Sequence, residues 1–95
     1  MTEQERLDYI NTTCNTTYKS MDEVDWVHHS MFTKLPEIFI KEFSDKIDWF
    51  RISHYQKLSE DFIREFQDKV DWYRISKYQK LSENFIREFS HKVTW

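Results

Sequence analysis

Among its 95 residues the chain has no glycine, one proline (Pro36) and one cysteine (Cys14). Without glycine, no residue enters positive φ at low cost, so tight two-residue hairpins and phosphate-cradling loops are disfavoured. That excludes dinucleotide-binding and P-loop architectures. A single cysteine permits no internal disulfide, fits a reducing compartment, and without a base partner reads as an inert thiol. No apolar run reaches the 18 residues or so that a membrane span needs. The opening M-T-E-Q-E-R-L-D has neither a basic start nor an apolar stretch, so no secretory leader is expected. The sequons at Asn11 and Asn15 then read as accidental, and the expected location is the cytoplasm.

What is abundant is aromatic and charged: 18% of residues are Phe, Trp or Tyr, and 33% are Asp, Glu, Lys or Arg. With a mean hydropathy of −0.83, the composition describes one small domain with a modest core.

The four tryptophans, Trp26, Trp49, Trp72 and Trp95, stand 23 residues apart. Aligned on them, units 49–71 and 72–94 agree at 17 of 23 positions, and units 26–48 and 49–71 at 12 of 23. A period of this size is the mark of a solenoid-like array. In S-E-D-F-I-R-E-F-Q-D-K-V the apolar residues Phe62, Ile63, Phe66 and Val70 fall on one helical face behind a Ser59 cap. In D-W-Y-R-I-S-K-Y-Q, Trp72, Ile75 and Tyr78 lie three apart behind Asp71, which suggests a shorter helix, partly 3₁₀ in character. The predicted unit is therefore a first helix of about 12 Å and a second of about 17 Å. Pro36 disfavours α geometry at Leu35 and should end the first helix of its unit there. Strands are disfavoured, because F-I-R-E-F does not alternate with period two.

The fold class expected is all-α: residues 1–25 as an N-terminal helical cap, and residues 26–95 as three two-helix repeats closed by Trp95. Thr2-x-x-Glu5 and Ser20-x-x-Glu23 both fit a capping box. The structural core should hold Trp26, Trp49, Trp72, Trp95, Phe62, Phe66, Phe85 and Phe89. Each tryptophan is expected to pack on the helix before it, with Trp95 covering Phe89 and Val93. Glu37/Lys41, Glu60/Arg64, Glu83/Arg87, Glu42/Lys46, Glu65/Lys69 and Glu88/Lys92 have the spacing of helix-surface ion pairs. Ser53/Ser76 read as small residues at a helix crossing, and Gln56/Gln79 as caps of the K-L-S link.

No constellation points to catalysis. Paired carboxylates would need a cleft to raise one pKa, and no Ser-His-Asp arrangement can be ordered from the chain. His28 and His29 diverge on a helix, and His54 and His91 occupy different repeat positions, so no metal or cofactor is expected. The reading is a non-enzymatic protein.

Charge is unevenly distributed along the chain. Residues 1–25 sum to −4, units one and two to −1 each, and residues 72–95 to +3. Four of the six differences between units two and three (His54/Lys77, Asp61/Asn84, Asp68/His91 and Asp71/Thr94) shift the balance toward positive. The last unit is thus a candidate partner-binding surface through Arg74, Lys77, Lys80, His91 and Lys92, with charge setting encounter and orientation. Direct nucleic-acid binding is not expected from a pI near 5.8. A nucleic-acid module using the basic last unit is kept as the alternative, as is a self-associating structural viral protein.

W-x-x-I-S-x-Y-Q-K-L-S-E-x-F-I-R-E-F-x-D-K-V-D-W, over residues 24–95, resembles a tandem repeat of proteins from phages, mobile bacterial elements and large DNA viruses. Unit one departs from it at His29, Thr33 and Pro36. The resemblance implies a viral or mobile-element origin and a host-cytoplasmic setting. It also implies, by analogy with small acidic phage proteins, an inhibitor of a host defence complex, of the anti-CRISPR kind. The partner would be a host protein or ribonucleoprotein complex.

Overall fold

Every first helix of a unit begins on an aspartate whose carboxylate accepts an amide of its first turn. In the computed structural model, which describes residues 1–93, these helices are α2 (Trp26–Phe32), α4 (Trp49–Tyr55) and α6 (Trp72–Tyr78). Asp25, Asp48 and Asp71 accept from the amides of His28, Arg51 and Arg74. The second helices are α3 (Glu37–Glu42), α5 (Glu60–Glu65) and α7 (Glu83–Glu88), and Ser59 and Ser82 cap the last two. The N-terminal segment contributes α1 (Glu3–Cys14) and a 3₁₀ turn at Met21–Glu23. Among the described residues the fold is all-helical, without strands. α4 packs between α2 and α6, so the units stack in series into a body of 45 × 22 × 16 Å.

Helix lengths differ from those expected. The first helices are α-helical throughout, seven residues long, and the second ones are shorter, at six. At 1.5 Å per residue these are about 10 Å and 9 Å. After α5 the backbone leaves helical geometry at Phe66, and the amides of Lys69 and Val70 both return to the Phe66 carbonyl. That turn preserves a four-residue step from Phe66 to Val70, which is why the apolar spacing imitated a longer helix. α2 ends at Phe32 rather than Leu35, since Thr33 is already extended.

Two further expectations fail. The rings of Trp26, Trp49 and Trp72 lie on the second helix of their own unit, not on the helix before it. Trp49 is 5.3 Å from Phe66, Trp72 is 5.2 Å from Phe89, and Trp26 is 5.3 Å from Phe43. The indole N–H groups reach back, from Trp49 to the Ser44 carbonyl and from Trp72 to that of Gln67. The lid role assigned to Trp95 rested on the opposite packing, and Trp95 itself lies outside the described residues. Second, Ser20 makes no capping bond; Glu23 accepts instead from the Lys19 amide. Thr2 and Glu5 do form a capping box.

Phe39, Phe43, Phe62, Phe85, Ile40, Ile52, Ile63 and Ile75 are fully buried and form one continuous core. Phe89 belongs to it, while Phe66, Trp26, Trp49 and Trp72 are half-buried against it. Ser30 and Ser53 are buried where successive first helices meet, and their hydroxyls accept the amides of Asp48 and Asp71, the residues that cap the next first helices.

The K-L-S link leaves peptide groups unpaired inside the array, and glutamine satisfies them. Gln56 accepts the Leu35 amide at 3.0 Å and donates to the Ser30 and Thr33 carbonyls at 2.9 and 2.8 Å. Gln79 repeats this one unit on, accepting from Leu58 and donating to Ser53 and Gln56. The caps are therefore cast backward across unit boundaries.

The charged pairs also run between units. Of the six intrahelical pairs expected, Glu83–Arg87 is the one the structure forms, at 3.6 Å. Glu37 and Glu60 instead accept the amide and hydroxyl of Ser59 and Ser82 in the following unit, with amide contacts of 2.6 Å. Lys41 pairs forward with Glu65 at 3.0 Å and Arg64 with Glu88 at 2.9 Å. A 23-residue register brings these groups closer than one helical turn does.

Replacing Gln56 with leucine leaves one buried amide and two carbonyls without partners, so it should cost about 2–3 kcal/mol. Arg64→Met removes an exposed pair and should cost under about 1 kcal/mol. Urea unfolding of the two variants checks the ranking.

Candidate docking surface

Successive first helices present positions two, three, six and seven to solvent, and the same stripe therefore recurs in every unit. In α4 these are Phe50, Arg51, His54 and Tyr55, and in α6 they are Tyr73, Arg74, Lys77 and Tyr78. Phe32, Phe50, Tyr55, Tyr73 and Tyr78 are all more than 40% exposed. Cross-unit contacts join the stripes into one surface. The Arg74 guanidinium lies 4.1 Å from the Phe50 ring and 4.8 Å from that of Tyr73. His54 stacks between Tyr55 and Tyr78, at 3.9 and 3.7 Å. Stacked rings hold guanidinium planes in place while leaving their N–H edges free for an anion.

Between each tryptophan and the link leucine this layer carries no acidic side chain, although Asp25, Asp48 and Asp71 stand at the N-terminal ends of its helices as caps. The segments 26–35, 49–58 and 72–81 hold six cations (Lys34, Arg51, Lys57, Arg74, Lys77 and Lys80) and not one Asp or Glu. Of the six, Arg51 is paired, with Asp48 at 2.8 Å. On the second helices Lys41 and Arg64 are matched to carboxylates of the neighbouring unit, and Arg87 to Glu83 of its own. The chain's overall −3 thus conceals two sides of opposite character.

The five residues assigned to partner binding do not form one cluster. Arg74, Lys77 and Lys80 lie along α6 and just beyond its C-terminal end, within the acid-free layer. His91 and Lys92 belong to the turn after α7. Lys92 sits 3.9 Å from Asp68 and 5.9 Å from the Trp72 ring, at the opposite end of α6, and His91 is exposed beside Phe89. Arg51, Lys57, Lys34 and the exposed rings were missed. The opposite charges of the two halves of a unit cancel in its total, so the acid-free segments show only when each half-unit is taken separately.

A second polar cluster marks the junction of cap and array. His29, at 3% exposure, takes the place of Ile52 and Ile75. Its Nε2 meets the Tyr18 hydroxyl at 2.8 Å and its Nδ1 the Thr33 hydroxyl at 2.6 Å. Tyr18 also accepts the Asp25 amide. Burial, aided by neighbouring His28 and opposed by Asp25, holds the imidazole below the ordinary histidine range. Burial likewise pushes the Cys14 thiol up to about 11, so it is a poor nucleophile.

A hollow of about 420 Å³ lined by Met1, Tyr9, Ile38, Lys41 and Glu42 is open to solvent. Among the described residues no group of three or more His, Cys, Asp or Glu is placed to hold a metal. No helix of those residues is long and apolar enough to cross a membrane. Comparison of the chain with protein-family models, curated proteins and solved structures gave no match.

His29 stays neutral in the fold at a pH where the unfolded chain's histidine, titrating near about 6.5, already binds a proton. Stability is therefore full above that value and falls as pH drops toward the folded pKa. Between about pH 7.5 and 5.5 the unfolding midpoint in urea should fall, and His29→Ile should flatten most of that dependence.

Proposed function

We propose that the protein is a non-enzymatic binding module that docks an acidic surface of a partner protein on its layer of first helices, covering it. The observation that carries this reading is the acid-free layer, with six cations interleaved with exposed rings. Tyr and Arg dominate binding energy at protein interfaces, and cations without intramolecular partners keep their attraction for an external anion. A rigid array holds these groups in fixed register, so little ordering cost falls on docking. The repeat's resemblance supplies the finer reading: a host protein or ribonucleoprotein complex of the cytoplasm, inhibited by occlusion.

A second reading has its own support. Rings alternating with cations also suit a single nucleic-acid strand, with bases stacking on Tyr55, Tyr73 or Tyr78.

Capture from a bacterial lysate should drop at least about tenfold for Arg74→Glu combined with Lys77→Glu, by the loss of two steering charges. Helicity should be unchanged, and Lys41→Glu, on the other side, should leave capture intact. Equal capture by all three proteins would sink the docking reading. Tight binding of a fluorescent oligothymidylate, weakening steeply with salt, would favour the nucleic-acid reading instead.

A further inference from the structure

One position of the first-helix layer is cationic in every unit. Lys34, Lys57 and Lys80 follow the extended residues Thr33, Gln56 and Gln79 that end the first helices. Extended backbone turns successive side chains to opposite sides, so burying Leu35 and Leu58 puts Lys34 and Lys57 outside. All three lysines are exposed, and among the described residues none has a carboxylate within ion-pair distance. Beside them runs a row of exposed rings, Phe32, Tyr55 and Tyr78. Between Lys34 and Lys57 a hollow of about 240 Å³ opens, walled in part by Met31, Phe32 and Tyr55.

We propose that the occupant of this row is an extended, proline-rich acidic segment of the partner protein, with a carboxylate at every third residue meeting one lysine per unit. The proposal rests on the acid-free layer being the docking side. Packed helices lie about 8–10 Å apart, and α2, α4 and α6 stack in series, so the lysines recur at about that interval. A polyproline II segment has three residues per turn and rises about 3.1 Å per residue, which puts every third side chain on one face at about 9 Å intervals. Such segments dock in grooves lined by rings, and the hollow between Phe32 and Tyr55 admits a proline or apolar side chain from between two carboxylates. A partner helix, about 10 Å across, would bridge the hollow rather than enter it.

The rings themselves favour carboxylates over nucleotide bases. Stacked bases need open ring faces, whereas Phe50, Tyr73 and Tyr78 each already hold two groups of this chain. These are Arg51 and Arg74 on Phe50, Arg74 and Lys77 on Tyr73, and His54 and Lys77 on Tyr78.

The test measures polarisation of two fluorescent peptides of equal charge against the full chain: about five Glu-Pro-Pro repeats, and about five Glu-Pro-Pro-Pro repeats, whose acids fall out of register. The first should bind at least about fivefold more tightly, and Lys57→Glu should weaken it at least about fivefold while removing its advantage. Lys41→Glu, on the other side, should leave both unchanged. Equal binding of the two peptides would overturn the register. Tighter binding of a helical peptide with glutamate at every seventh residue would replace the extended segment by a helix. If neither peptide binds, yet capture from lysate still drops with Arg74→Glu and Lys77→Glu, this proposal fails and the docking reading stands. If that capture is also unchanged, both fail.

Discussion

Each unit is joined to the one before it by a glutamine side chain that completes the earlier unit's main-chain bonding. The dependence is strong because the chain has no glycine. Helices commonly end on a left-handed glycine whose amide turns back on the last carbonyls. Here α2, α4 and α6 end on extended residues instead, which leaves link amides and carbonyls facing inward. Asn15, at φ 55°, is the one positive-φ residue among those described, and it closes α1. A glutamine amide offers one acceptor and two donor hydrogens, and Gln56 and Gln79 use both kinds. A buried amide or carbonyl left alone costs about 1–3 kcal/mol. The stacking distance, the extended links and the register of the forward ion pairs therefore stand or fall with this side chain.

The departures of unit one follow from the same constraint. No repeat precedes it, so no link carbonyls wait for a glutamine, and Thr33 bonds His29 instead. Tyr18 of the N-terminal segment completes that cluster from the cap side. Pro36 forgoes the amide that no glutamate would have met. Arg6 lies over the Phe43 ring at 4.9 Å and beside Glu42, much as Arg64 lies over Phe85 at 5.3 Å and beside Glu88. The cap thus imitates the cationic edge of a preceding unit without being one.

Segregation of charge follows from how the units pack. Forward pairing consumes carboxylates and cations together on the second-helix side, where neighbouring units need holding. The first helices pack through Ser30, Ser53, Ile52 and Ile75 and need no ion pairs. Their outer positions are free to carry cations and rings alone, and a net charge of −3 coexists with a cation-bearing surface.

The sequence by itself determined the helical class, the three-unit repeat, the aspartate and serine caps and the Thr2–Glu5 box. These depend on local spacing and on a register that repeats every 23 residues. It also contained the acid-free half-units, visible once charge is counted by helix rather than by unit. Helix lengths, the seating of the tryptophans and the destinations of Gln56, Glu37, Lys41 and Arg64 were decided only by tertiary structure. Their alternatives, a neighbour one helical turn away or a neighbour one repeat away, are equally compatible with the spacing. Stacking brings the next unit within hydrogen-bond reach, and the groups that find buried or prepositioned partners there take them.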